Sequence, residues 1–260
     1  MIDGIPLTLT TGSMNRLSAL RRALPTWLAL DEVDRYVVVD WSSRESLVQA
    51  LGDFNDPRLI IVRAVGQAYW RNAACHNLEI YLASQTCLEP SGFLLRLDND
   101  VLVRRDFLAR HPPRLHGFYA GNWRTVPSIV DDKRNLSGTL LARINHVKSV
   151  GGYNERLVHY GREDDDLYAR LTISGYRWHE LDLETLEHIP HTNCERFKNL
   201  AAARDLSSLV DRHLSAFIAL SDDVLMKQPW TTRDKPTSWE VDYVDPLRSW
   251  VCREISGSSK

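Results

Sequence analysis

Four carboxylates stand side by side at Glu163, Asp164, Asp165 and Asp166, just before the apolar positions Leu167 and Leu171. A helix that starts here would place all four in its first turn, where free N–H groups and the macrodipole favour negative charge. One well-placed charge gains only about 0.3 to 1 kcal/mol in that position, and neighbouring carboxylates repel each other. Capping therefore accounts for one or two of them. Crowded carboxylates also raise each other's pKa toward neutrality, which suits a general base that must take a proton from a hydroxyl. Leu167 and Leu171 would fix such a helix to a core and mount Asp164 rigidly.

A second acidic group is "LRLDND", an apolar strand that delivers Asp98 and Asp100 into a turn. Two carboxylates at that spacing suit a hard divalent cation with oxygen ligands. An Asp-Asn turn bonded to its own backbone has the same sequence. His188 and His191 close "LEHIPH", where Pro190 rules out a continuous helix and leaves an extended or turned geometry. Imidazoles complete Mn²⁺ sites that carboxylates begin. Cys194 nearby keeps a His/His/Cys zinc site open as a second reading. Asp40, at the end of "RYVVVD" and before two serines, fits either a nucleoside contact or the cap of the next helix.

The elements that must position these groups alternate along the first half of the chain. "GIPLTLTT", "RYVVVD", "RLIIVRAV" and "SGFLLRLDND" read as strands. Helical patterns over 14–30, 46–53 and 69–84 separate them. This alternation predicts an α/β fold with a mainly parallel sheet, whose ligands sit at the carboxyl ends of the strands. Strand signals continue in "GFYAGNW" and "GTLLAR", then the turn "VGGYN", then a last strand within 178–191. A charged amphipathic helix is predicted over 196–220. Little periodicity follows it, so residues 196–260 read as a helical or irregular extension packed on a domain of residues 1–195.

The bulk numbers exclude some partners. With 32 Lys and Arg against 34 Asp and Glu, the chain of 260 residues has no field that would gather nucleic acid. Four cysteines without a CxxC pair fit reduced thiols. No apolar run approaches the roughly 20 residues of a membrane span, and the first residues lack a signal-peptide pattern. These features predict a cytoplasmic protein with no transmembrane segment, leaving peripheral membrane association open.

The order of the motifs resembles the GT-A glycosyltransferases. Asp40, "RNAACHN", "LRLDNDV", "SGTLLAR", "VGGYNERLVHYGREDDDLYARL" and His188-x-x-His191 follow one another as they do there. Family 2 enzymes match broadly. The second half is similar to the β-1,4-galactosyltransferase and chondroitin-polymerase group, with its Gly-Gly-Phe turn and Trp-Gly-Gly-Glu-Asp-Asp-Asp segment. The resemblance implies a GT-A (Rossmann-like) fold, a UDP-sugar donor, Mn²⁺ or Mg²⁺, and a glycan or glycoconjugate acceptor. It implies that Thr11, Arg16, Asp40 and Arg71 line the nucleotide pocket and that Asp98, Asn99 and Gly138 lie by the ribose or donor sugar. Asp100, His188 and His191 would hold the metal. Glu163 and Asp164 would grip the acceptor, with Asp164 as base, giving an inverting transfer; the alternatives are a retaining GT-A transferase of the polypeptide-GalNAc type and a catalytically silent glycan-binding protein. Two residues depart from the group's pattern. Tyr160 replaces Trp, as a stacking platform or a core aromatic, and Arg162 replaces Gly, facing either a charged acceptor or its acidic neighbours.

Overall fold

The computed structural model describes residues 4–86, 92–122, 124–126, 132–157, 161–192, 195, 198–200, 230, 236–245 and 249–255. In chain order the elements are β1 (Leu7–Ser13), α1 (Leu17–Leu28), β2 (Arg35–Trp41), α2 (Leu47–Ala50), β3 (Leu59–Val65), α3 (Asn72–Thr86) and β4 (Phe93–Arg96). There follow β5 (Val101–Val103), α4 (Phe107–Arg110), β6 (Gly117–Ala120), β7 (Leu140–Arg143), α5 (Ile144–Ser149), α6 (Glu163–Ile173) and β8 (Arg177–Glu180). The last are β9 (Leu186–His188), β10 (Trp239–Asp245) and β11 (Ser249–Glu254).

One nine-stranded sheet runs β10-β11-β3-β2-β1-β4-β7-β6-β8. Strands β11, β3, β2, β1 and β4 are mutually parallel, and β7 runs antiparallel to both β4 and β6. The run Leu7–Ser13 is buried along its whole length, as a strand covered on both faces must be. On one face Leu7 and Leu9 pack with Leu20, Leu24 and Trp27 of α1. On the other, Leu94 and Leu140 pack with Ala73, Ile80 and Leu167. Parallel pairing of β1 with β4, Thr10 opposite Arg96, brings the carboxyl ends of both strands to one edge of the sheet. Arg16 and Asp98 to Asp100 follow those two ends.

A separate two-stranded ribbon has a more local task. Strand β5 pairs antiparallel with β9, Val101 opposite His188. The Ile189 amide also donates to the Asp100 carbonyl at 2.7 Å. This pairing draws the histidine segment onto the acidic turn. The stretch expected as one strand within 178–191 is divided, because Asp182 caps a short 3-10 turn over Leu183–Thr185 by accepting from the Glu184 amide.

The glycine turn before α6 is specified by α3. Asn77 accepts from the Tyr153 amide at 2.7 Å and donates to the Tyr153 carbonyl at 2.9 Å. Gly152 lies at φ +71°, and a Cβ there would meet Asn77 Oδ1 at 2.4 Å. Gly152→Ala is expected to cost about 1–3 kcal/mol from the left-handed backbone alone, with the clash in addition. Urea unfolding measures it; an unchanged midpoint would show that the turn can relax.

The C-terminal region corrects the expectation of a helical or irregular extension. Strands β10 and β11 form a hairpin, and β11 continues the sheet in parallel with β3, Trp250 opposite Val62. Trp239, Trp250 and Cys252 are buried against Val37, Val39 and Trp41. The helix predicted over 196–220 lies outside the described residues except Lys198–Leu200, where Leu200 bridges to Trp70. Cys75 and Cys252 are free and buried. Among the described residues no helix is long and apolar enough to cross a membrane.

Candidate active site

An open cleft at the carboxyl edge of the sheet is lined by Arg16, Asp98, Asn99, Asp100, Gly138, Glu163, Asp164, His188 and His191. Five separate segments supply them: the turn after β1, the turn after β4, the loop before β7, the start of α6, and the end of β9 with the residues that follow it. Their convergence follows from the β1–β4 and β5–β9 pairings. Tyr168 Oη on α6 also donates to the Ser137 carbonyl at 2.9 Å, which ties the loop carrying Gly138 to the helix carrying Asp164.

At one end Asp100, His188 and His191 offer one ligand atom each, all within 4.8 Å of one another. His191 Nε2 lies 3.2 Å and His188 Nε2 3.8 Å from Asp100 Oδ2. Arg16 Nη2 sits 2.6 Å from the same oxygen. Burial works against ionisation of Asp100, but the His191 hydrogen bond, the Arg16 charge and His188 outweigh it and hold its pKa below the usual range. One carboxylate and two imidazoles at this separation match the donor set and reach of a divalent transition ion, leaving positions for further oxygen ligands. The residues present therefore fit a metal. Asp98 is not part of this set. Its Oδ1 accepts from Arg96 Nη2 at 2.6 Å.

At the other end the acidic run is divided by partner. Glu163 is buried and accepts from Asn72 Nδ2 at 2.6 Å. Asp164 faces the cleft with 21% of its side chain exposed, 3.9 Å from Arg96 Nη1. Asp165 is held by Arg124 at 2.9 Å and faces Arg162 Nη1 at 3.5 Å. Asp166 pairs with Arg170 one turn on, at 2.5 Å. All four carboxylates lie in the first turn of α6, where Asp165 and Asp166 are ion-paired as well, and the residue before α6 makes no side-chain cap. The pKa of Asp164 is pushed well up, first by burial and then by Glu163, while Arg96 opposes the rise. Glu163 is raised as well, burial again being the largest cause. Crowding of carboxylates, the cause expected from sequence, comes second for Asp164.

Gly138 is a close-approach position. A Cβ there would lie 2.5 Å from Arg96 Nη1 and 2.8 Å from Asp98 Oδ2, so only glycine leaves these side chains where they are. Arg162 adopts φ +74° without being glycine. Backbone of that kind costs a residue with a Cβ about 1–2 kcal/mol, which explains why glycine suits this position in the group that the motif resembles.

Three expected cleft residues lie elsewhere. Asp40 is fully buried: its carboxylate accepts from the amides of Ser43 at 2.8 Å and Leu47 at 3.2 Å and pairs with Arg63 at 2.5 Å. Arg63 stands opposite it in the β2–β3 register, so the pair forms across strands, and the structure gives Asp40 the capping role. Thr11 faces away from α3, one residue after Thr10, which bonds to Glu79. Arg71 pairs with Glu254 of β11 at 2.6 Å and lies over the Trp41 ring, so the unforeseen C-terminal strand takes it. Tyr160, His159 and Cys194 lie outside the described residues.

Known proteins bear on this geometry at two levels. A family model described as the N-terminal domain of galactosyltransferase matches residues 130–192, which contain Gly138, the acidic turn and both histidines. Among curated proteins none matches the sequence. The catalytic domain of Drosophila β-1,4-galactosyltransferase 7, in complex with xylobiose, is similar in structure. Its TM-score is 0.57 at 14% identity, covering 96% of this chain and 94% of that one. A mannosyltransferase of Pyrobaculum calidifontis, PcManGT, in complex with GDP-Man and Mn²⁺, gives 0.56 at 16% identity, covering 86% and 72%. S. aureus TarS gives 0.53 at 14% identity over the same shares. The chain has the GT-A fold.

Within the GT-A fold of this chain, sequence reasoning missed several cleft residues. Trp70, Asn72, His76 and Arg96 line the cleft, as do Asn135, Glu195 and Asn199. Two of them carried a readable signal. Arg96 precedes Asp98 by two residues and so shares its side of an extended chain, and His76 precedes Glu79 by three on one helix face. Asn99, which was foreseen, donates to the Gly12 carbonyl at 3.0 Å and steadies the acidic turn.

Proposed function

We propose that this protein is a metal-dependent, inverting glycosyltransferase that moves a hexosyl or N-acetylhexosaminyl group from a UDP-sugar to a hydroxyl of a glycan acceptor. The observation that carries this reading is the cleft itself, in which a carboxylate-imidazole metal set and a carboxylate of raised pKa face one space. Related structures support the donor chemistry. The Drosophila enzyme is held with manganese, UDP-Gal and xylobiose, and TarS with UDP.

A divalent ion bound by Asp100, His188 and His191 would supply positive charge against the diphosphate leaving group. The chain's own residues do the rest. Arg16, already beside Asp100, adds a fixed cation on the donor side. Asp98 and Gly138 border the space beside Arg96 where the donor sugar would lie. Asp164 takes the proton of the acceptor hydroxyl as its oxygen forms the new bond to the anomeric carbon. The old bond to the diphosphate breaks on the opposite face, so the anomeric centre inverts. Glu163, held by Asn72, borders the acceptor side and keeps Asp164 basic through its own charge.

The test is to incubate UDP-sugars with Mn²⁺ and a panel of glycan acceptors and to assign the product anomer by NMR. Transfer with inversion supports the reading. Transfer with retention would remove Asp164 from the role of base, and no donor turnover with any UDP-sugar would remove the activity altogether.

A further inference from the structure

The least expected side chain in the cleft is Arg96. It ends a strand of apolar residues, is only 4% exposed, and packs where Leu94 and Leu95 precede it. A buried cation is costly unless its donors are satisfied and its charge is opposed; here Nη1 and Nη2 have partners while Nε has none among the described residues. Here its neighbours form a continuous chain through the interior. Thr10 Oγ1 donates to Glu79 Oε2 at 2.9 Å, and Glu79 Oε1 lies 3.0 Å from His76 Nδ1. His76 Nε2 lies 2.7 Å from Arg96 Nη2. Arginine can only donate, so Nε2 is the acceptor and the imidazole proton sits on Nδ1, donated to Glu79. The guanidinium then reaches Asp98 at 2.6 Å, the Gly138 carbonyl at 2.5 Å and Asp164 at 3.9 Å.

We propose that Arg96 is a positioning residue that locks Asp98 and Asp164 into one unit across the cleft, with its own fork held in register by the His76–Glu79–Thr10 chain. This rests on the glycosyltransferase reading for its consequence and on geometry alone for its existence. Asp98 and Asp164 stand on different elements, the turn after β4 and the first turn of α6, and Arg96 is hydrogen-bonded to the first at 2.6 Å and within ion-pair reach of the second at 3.9 Å. Gly138 has no Cβ because one would displace this guanidinium. Thr10, His76 and Glu79 are buried behind it, so the fork cannot rotate without breaking a bond in the interior.

The same placement bears on the charge of the base. The groups acting on Asp164 are Glu163 and Asp165 on its own helix, Asp98 from the turn after β4, and Arg96 from β4. Tyr153 and Tyr168, both buried, also face Asp164, whose charge adds to burial in raising their pKa values. Arg96 is the cation among these groups, and it favours the ionised carboxylate against burial and against the three acids.

The experiment compares wild type with Arg96→Met, which removes the charge, and Arg96→Lys, which keeps the charge but loses the planar fork. One readout needs no donor: carbon-13 NMR titration of the Asp164 carboxyl, assigned by its absence in Asp164→Asn. In Arg96→Met its midpoint should rise by about one pH unit or more, and in Arg96→Lys it should stay near that of wild type. The second readout is kinetic. Both variants should lose on the order of 10²-fold in kcat, while Mn²⁺-dependent UDP affinity changes little. A wild-type midpoint in folded Arg96→Met overturns the charge role, and wild-type kcat in Arg96→Lys overturns the positioning role. If Arg96→Met does not fold, the kcat of Arg96→Lys decides. If the wild-type protein turns over no donor, the glycosyltransferase reading fails, and the NMR titration still decides whether Arg96 governs Asp164.

Discussion

Asp164→Asn is expected to lower kcat for transfer by about 10²- to 10⁴-fold, the usual contribution of a positioned general base. Donor affinity should change little, because Asp164 lies across the cleft from Asp100, His188 and His191. Stability should move the other way. Asp164 has a folded-state pKa raised above its unfolded value. Its contribution to stability is therefore fully present below the unfolded pKa and is lost as pH rises through the folded one. Wherever it ionises in the folded protein the carboxylate opposes folding, and the neutral amide removes that opposition. The variant should melt at the same temperature as wild type or higher while being nearly inactive. A variant that is both inactive and markedly less stable would mean that Asp164 holds the structure together. The same raised pKa places the acid limb of wild-type kcat/KM well above the ordinary carboxylate range, since the base must be ionised to accept a proton. A limb near pH 4 would remove Asp164 from that role.

The second large effect concerns the metal set. Replacing His188 or His191 by Ala leaves two of three protein ligands, and replacing both leaves Asp100 already paired with Arg16. Each single variant should weaken Mn²⁺ binding and transfer by about 10²-fold or more, and the double variant should show no Mn²⁺-dependent activity. The fold should survive. His191 follows β9, and the β5–β9 ribbon that carries His188 is held through the backbone pairing of Val101 and Val103. Isothermal titration with Mn²⁺ and a parallel melting curve separate the two quantities. Retained metal binding in the double variant would show that the ion sits elsewhere, and would exclude the zinc site of His188, His191 and Cys194 as well.

How much of this was legible in the sequence depended on the range of the forces involved. The parallel half of the sheet was readable because each strand is a short apolar run bounded by a helical pattern, and β1 to β4 follow the expected order. His188 and His191 were readable by type and spacing. That they meet Asp100 follows from a three-residue ribbon that no periodicity announces. Asp40 was ambiguous because a strand-ending carboxylate serves a ligand or a cap equally well, and its partner Arg63 is fixed by strand register. The hairpin β10–β11 did carry a signal, the alternation of Trp239, Val241 and Tyr243 with Glu240 and Asp242. Flanking prolines and a polar composition hid it. Because that strand was missed, the fate of Arg71 was missed too. Arg96 stands in an apolar strand with no role assigned from sequence. Its meaning depends on His76 and Asp164, 20 and 68 residues away by the numbering, brought together only by the fold.

The most direct measurement is the calorimetric titration of UDP into the wild-type protein with and without Mn²⁺. The account predicts saturable binding that needs the ion and that disappears in the His188→Ala/His191→Ala double variant. Binding that is the same with and without Mn²⁺, or no binding of UDP in either condition, would contradict it.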